Sequence, residues 1–292
     1  MLTRIISGAV GAALLAAVLF FHDTIVLPIA VAFIIAVMLF ELLRAVKLHK
    51  CIPVLIAAEA CGIAVPILYG ILTKINVMGA EYPGHFEFLS WRYGEDYRLY
   101  TFGITLLCAF VIFITWLKKH KEIRYEQVFF VLAVMVLVPQ AMNTMVRMER
   151  YDSESGLFLL VMGLCGAWIA DTGAYFSGVA LGKHKLCPEI SPKKTIEGLV
   201  GGILTTAIVY TAAFSCYYGF TGKRAAVAFI TGAVCAVIGT VGDLSASMVK
   251  RQIGFKDYGK IMPGHGGLMD RFDSVLFVLP TFYLFIALFG VQ

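Results

Sequence analysis

Nine runs of about 20 apolar residues, each the length a helix needs to cross a bilayer, leave this chain few folds to choose from. They fall at roughly 3–21, 24–44, 52–72, 99–117, 126–145, 157–181, 198–218, 225–247 and 273–290. Hydrocarbon offers backbone groups no water to bond, so runs of this length read as helices. His22-Asp23 is the only break between the first two, which suggests a tight helical hairpin. Only 15% of the residues are charged, where a soluble domain carries roughly a quarter. The expected fold is an all-α, multi-pass membrane protein of about nine spans. Residues Met1 to Phe21 imitate a signal peptide, but no small-x-small cleavage pattern precedes His22, so they read as a retained first helix. The seven cysteines form no Cys-x-x-Cys pair and read as small buried residues rather than a disulfide or zinc framework.

Basic residues orient the spans. On a nine-span count, seventeen Lys and Arg fall on one side of the membrane and seven on the other. Cytoplasmic loops carry the excess, which predicts a cytoplasmic N-terminus and an outer C-terminus. Residues 1–150 then hold about five spans, and 151–292 hold the rest with two cytoplasmic loops, 182–197 and 248–272. The loop from Lys74 to Arg98 falls outside, is aromatic-rich, and reads as lying along the interface.

Chemistry concentrates between Ser247 and Asp273. There Lys250, Arg251, Lys256, Lys260 and Arg271 surround Asp257, Asp270 and Asp273, with a Pro263-Gly264-His265-Gly266-Gly267 turn between. Lys and Arg suit phosphates, carboxylates suit Mg²⁺, and glycines let backbone N–H groups approach an anion. A membrane protein with all three at one surface is expected to handle a phosphorylated substrate. Asp243, Ser247 and Lys250 are spaced i, i+4, i+7, one stripe down a helix. Asp270 and Asp273 are spaced i, i+3 at the start of the last span, as metal ligands or as helix caps. His265 reads either as a proton carrier or phosphate donor, or as polar loop surface.

Ionisable residues inside spans are costly and mark function. Glu59, Asp171 and Asp243 stand out, with Asp243 roughly 9 Å and Asp171 roughly 15 Å from the cytoplasmic ends of their helices. Tyr175 follows Asp171 by one turn, and Lys193 and Lys194 precede the next span beside Ser191 and Thr195.

These residues resemble the phosphatidate cytidylyltransferases, the CDP-diacylglycerol synthases. The family pattern runs Ser-x-apolar-Lys-Arg, then Lys-Asp, then Pro-x-His-Gly-Gly-apolar-x-Asp-Arg-apolar-Asp, and 247–273 meets nearly every fixed position. Met262 departs by an apolar swap. Ala170 to Tyr175, Gly182 to Leu186 and Ser191 to Gly198 also resemble the family, although Val179 stands where relatives often carry Arg. The likeness is specific over about 165–274 and rests on span number before that.

The resemblance implies a multi-pass cell-membrane enzyme with a cytoplasm-facing site that joins CTP to phosphatidate of the cytoplasmic leaflet, forming CDP-diacylglycerol and pyrophosphate with Mg²⁺ or Mn²⁺. It implies Asp243 and Asp270 as metal ligands, with Asp273 a direct or outer ligand. Ser247, Lys250, Arg251 and Arg271 hold phosphates, and Lys193, Lys194 and Lys256 serve the triphosphate or lipid headgroup. Asp171 is either a metal ligand or support of the pocket from beneath. Tyr175, Gly266 and Gly267 complete the pocket, and His265 joins the catalytic set as a proton carrier or phosphate donor. Oligomeric state stays open, a homodimer included, and nothing points to nucleic acid. A CTP-dependent polyprenol kinase or a related lipid cytidylyltransferase shares the metal-phosphate chemistry, but the complete His-Gly-Gly and Asp-Arg-x-Asp pattern argues against the kinase. An ion-coupled transporter would use intramembrane acids, yet it needs no such loop and no inverted repeat is visible.

Overall fold

The computed structural model describes residues 2–81, 97–264 and 266–290, with side chains left aside at 2–5 and 75–81. Most of the loop 74–98, expected on the outer side, and His265 therefore lie outside the described residues. Among the described residues, ten helices and one hairpin follow in order: α1 (Leu2–Phe20), α2 (Val26–Ala45), α3 (Ile52–Glu81), α4 (Tyr97–Lys118), α5 (Tyr125–Glu149), α6 (Gly156–Leu181), β1 (Lys185–Cys187), β2 (Ser191–Thr195), α7 (Ile196–Tyr218), α8 (Gly222–Ile253), α9 (Met269–Phe272) and α10 (Val275–Phe289).

Among the described residues, eight helical segments are long and apolar enough to cross a membrane, the last running Met269–Phe289 through α9 and α10. The first helix contributes a shorter apolar stretch, Ile6–Phe20. Eight of the nine expected runs thus appear as membrane-length helices among the described residues. Several of these helices continue past the expected ends into polar sequence. α8 is the clearest case. It runs six residues past the expected end at 247 and spans about 48 Å at 1.5 Å per residue, longer than the ~30 Å hydrocarbon layer. Gly254 stops it in the left-handed region (φ 78°), returning its N–H to Arg251 and that of Phe255 to Lys250 at 2.9 Å. Ser247, Lys250 and Arg251 are therefore helical, and the two cations sit in the last turn, where the helix dipole favours them.

The chain forms two compact units. The first comprises Met1–Glu149 together with Tyr258–Met269, and the second Arg150–Asp257 with Asp270–Gln292. In the first, α2 packs on α3 and α5, and α3 on α4 and α5. Leu43, Val54, Ala58, Ile112, Val128 and Met135 form its core.

In the second unit, α7 packs between α6 and α8, and α10 lies against α6 and α8. Small residues bring these backbones together, as interhelical packing in lipid favours. A methyl group at Gly202 would meet the Ala170 carbonyl, and one at Gly232 the Ala207 backbone. Tyr210, fully buried, donates its hydroxyl to the Met162 carbonyl at 2.9 Å and packs edge-on to Phe282. All seven cysteines are free.

Candidate functional site

Three local devices in the second unit bring distant carboxylates and cations together. The first is the β1–β2 hairpin, whose strands pair antiparallel with Lys185 opposite Thr195 and Cys187 opposite Ser191. Its base is tied at both ends. Glu197, in the first turn of α7, accepts the His184 backbone N–H and meets the His184 ring at 2.6 Å. Thr195 caps α7, its hydroxyl accepting the Gly198 N–H at 3.1 Å. The strand leaves Lys193 exposed and Lys194 half-buried, where it pairs with Asp243 of α8.

The second device is the contact of α8 with the start of α10. Gly242 lies so close to the Asp273 carbonyl that any side chain there would collide with it. The next residue, Asp243, accordingly lies within electrostatic reach of Asp273. Asp243 also receives the Ser247 hydroxyl across one helical turn at 3.4 Å.

The third device is α9. The last span is interrupted at Asp273-Ser274, so Asp270 and Asp273 do not share the first turn of one continuous helix as their spacing suggested. Asp270 and Arg271 belong to the single turn α9, and Asp273 fills the break, its carboxylate accepting the Ser274 N–H at 2.8 Å. Lys250 reaches Asp270 at 2.7 Å, with side chains only 12% and 4% exposed. Asp273 is buried as well, at 8%. Lys250 acts on Asp273 too, and Asp171 of α6 feels Lys194, Asp243 and Arg271.

Asp171, Asp243, Asp270 and Asp273 thus form one cluster with Lys194, Lys250 and Arg271. Acids and cations are interleaved, so no carboxylate faces only like charge. Two close ion pairs, one of them nearly dry, are a poor stability device: desolvation offsets most of the attraction, while removing one partner costs about 3–5 kcal/mol. An arrangement this costly fits a site whose charges take other partners during work. Arg251, Lys193 and Lys256 are exposed, and so is Tyr175, which packs edge-on to Phe176 rather than into the cluster. Gly266 and Gly267 fall in the first unit.

A sequence profile of the Cytidylyltransferase family matches residues 2–289. The chain belongs to that family. Phosphatidate cytidylyltransferase of Bacillus subtilis (strain 168) is 32% identical over 291 residues, 98% of each chain. The phosphatidate cytidylyltransferase of Haemophilus influenzae is 45% identical over 144 residues, 48% of this chain and 50% of its own. That of Staphylococcus saprophyticus is 44% identical over 134 residues, 46% and 51% respectively.

In this cytidylyltransferase-family chain, one acidic residue escaped the sequence reading. Glu41 of α2 is 1% exposed and accepts the backbone N–H groups of Leu268 and Met269 at 3.1 and 2.8 Å. An acid inside the run Phe40-Glu41-Leu42-Leu43 was the available signal. The glycine-rich turn was expected to offer its N–H groups to a phosphate. Its following N–H groups, at Leu268 and Met269, are turned on a carboxylate of the protein itself. Glu59 is half-buried on α3 with Oε2 unpartnered, and nothing places it near the cluster.

Proposed function

We propose that this chain transfers the cytidylyl group of CTP to phosphatidate, releasing pyrophosphate. What supports the reading most directly is the full-length likeness to Bacillus subtilis phosphatidate cytidylyltransferase. The acid–cation cluster supplies chemistry suited to it.

In the reaction a phosphate oxygen of phosphatidate attacks the α-phosphorus of CTP. The bond from that phosphorus to the bridging oxygen breaks, and pyrophosphate leaves with the electron pair. The attacking phosphate is already anionic, so no strong base is needed. Alignment and charge neutralisation are needed instead. Lys194, Lys250 and Arg271 carry the positive charge for the phosphates, with Ser247 as a hydroxyl donor on the same stripe of α8. Incoming phosphates compete with Asp243 and Asp270 for the two lysines and draw them off the carboxylates.

That exchange would leave bare carboxylates beside a polyphosphate unless a cation joins them. Among the described residues, no group of three His, Cys, Asp or Glu side chains is gathered closely enough to hold a metal. Mg²⁺ does not require one, because it binds through one or two carboxylates and completes its shell with phosphate oxygens and water. One or two of the hard carboxylates Asp243, Asp270 and Asp273 would meet that demand, with Asp171 in support. Bound there, Mg²⁺ or Mn²⁺ would offset the charge that builds on the phosphate oxygens.

The site faces the cytoplasm in this reading, with phosphatidate supplied by that leaflet of the cell membrane. The basic-residue asymmetry supports it. A cysteine at the exposed Lys260 should react with an impermeant thiol reagent in inside-out vesicles alone, and labelling in intact cells would reverse the orientation. The activity is tested with purified protein, phosphatidate and CTP labelled in the α-phosphate. Label should appear in a CDP-lipid, with one pyrophosphate released per transfer. Label released as free CMP, or lipid carrying only a transferred phosphoryl group, would contradict the reading.

A further inference from the structure

We propose that Glu41 is a positioning residue for the reaction, holding Tyr258–Met269 in the fold that leads into the Asp270 turn. The inference rests on the role given to Asp270 above.

Three observations converge within the first unit. The Glu41 carboxylate is divided between two consecutive main-chain donors, Leu268 N–H on Oε1 and Met269 N–H on Oε2. Gly259 and Gly267 press against the same carboxylate, close enough that a methyl group on either would collide with it. They also press against each other, since a methyl group on Gly267 would come within 2.6 Å of the Gly259 nitrogen. One side chain of α2 therefore collects both ends of the loop around itself, and the two glycines are required for close approach rather than for turning.

The loop between them is organised to match. Met262 donates its N–H to the Gly266 carbonyl at 3.0 Å, and Gly264 and Gly266 take φ values of 79° and 90° that favour glycine. Ser7 of α1 donates its hydroxyl to the Pro263 carbonyl at 3.1 Å.

The consequence follows from chain continuity. Met269, the last residue Glu41 holds, opens α9, and Asp270 is the next residue in that single turn. A one-turn helix has too few internal hydrogen bonds to set its own direction. Its start is set by what holds the preceding N–H groups, and that is Glu41. A hydrogen bond from a main-chain N–H to a carboxylate is charge-assisted, among the stronger kinds. Two of them on a side chain shut away from water bind the loop in one register.

The test separates positioning from folding. For Glu41→Ala, kcat per folded molecule should fall by about a hundredfold, the cost typical of a small misplacement of a reacting group. KM for CTP should stay within about threefold, because the phosphate-binding cations are untouched. Glu41→Gln keeps one acceptor oxygen and should recover about tenfold of that loss, as a hydrogen-bonding role requires. A second readout needs no substrate. A cysteine at the buried Met269 should resist thiol reagents while Glu41 is present, after subtraction of labelling at native cysteines, and react in the Glu41→Ala background. Undiminished kcat in folded Glu41→Ala, or a loss that merely tracks the amount of folded protein, would overturn the inference. So would unchanged protection of the 269 thiol, whatever the wild-type protein does with CTP and phosphatidate.

Discussion

Glu41 and Asp270 are both shielded from water, at 1% exposure for the Glu41 residue and 4% for the Asp270 side chain, yet their partners differ in kind. Glu41 is met by main-chain N–H groups, which cannot leave without unmaking the loop. Asp270 is met by the ammonium of Lys250, a mobile point charge on a four-carbon stem that can turn to another anion. The first arrangement spends a carboxylate on geometry. The second keeps a carboxylate and a cation in reserve, neutralising each other until a phosphate and a metal separate them. The lesson is that burial alone does not distinguish a structural acid from a working one. The mobility of the partner does.

The largest effect that would sharpen this contrast is removal of divalent metal. Excess EDTA, with metal-free substrates, should reduce CDP-lipid formation to background. Mg²⁺ or Mn²⁺ should restore it, and Ca²⁺ should restore less because its looser coordination aligns in-line attack poorly. Sustained turnover in EDTA would leave the four aspartates without their proposed task and dissolve the comparison.

Next in size is Lys250→Met, which keeps the stem and deletes the charge. The rate should fall by about 10²–10³-fold, the usual cost of one electrostatic donor, and Asp270 is left buried without this partner. If Lys250 only held Asp270 in place, Lys250→Met paired with Asp270→Asn would recover activity lost in the single variant. No recovery should occur, measured as kcat of the double against the single.

The smallest effect is expected at Thr195→Ala. The lost cap on α7 should cost about 1 kcal/mol of stability, seen as a modest drop in thermal midpoint. The rate should change only a few-fold, because Lys194 is also placed by the strand pairing and by Glu197 at the hairpin base. A rate loss as large as that of Lys250→Met would show that the cap, rather than the ion pairs, governs the site.

How much of this was legible in the sequence depends on the range of the interaction involved. Membrane helices follow from local composition, since apolar length is a property of each segment alone, and Asp243, Ser247 and Lys250 share a stripe by helical spacing. The break at Asp273-Ser274 was not legible, because it turns on which carboxylate takes the Ser274 N–H. Neither was the Lys194–Asp243 pair, which joins a hairpin to a helix 49 positions on and depends on strand register. Glu41 lies farther still, with its partner 228 positions away. Nothing local to Glu41 named a glycine-rich loop as its partner. The glycines themselves pointed to close approach of an anion; that the anion belongs to the protein is a tertiary fact.

The central claim, that the acid–cation cluster is where transfer occurs, is tested most directly by Asp270→Asn. The substitution keeps the shape of the side chain and one oxygen acceptor for Lys250, and removes only the negative charge. The measurement is CDP-lipid formed per folded, membrane-inserted molecule at saturating CTP and Mg²⁺. Less than about one thousandth of the wild-type rate should remain, a barrier increase of ~4 kcal/mol. Retention of more than about a tenth, ~1.4 kcal/mol or less, would contradict that claim.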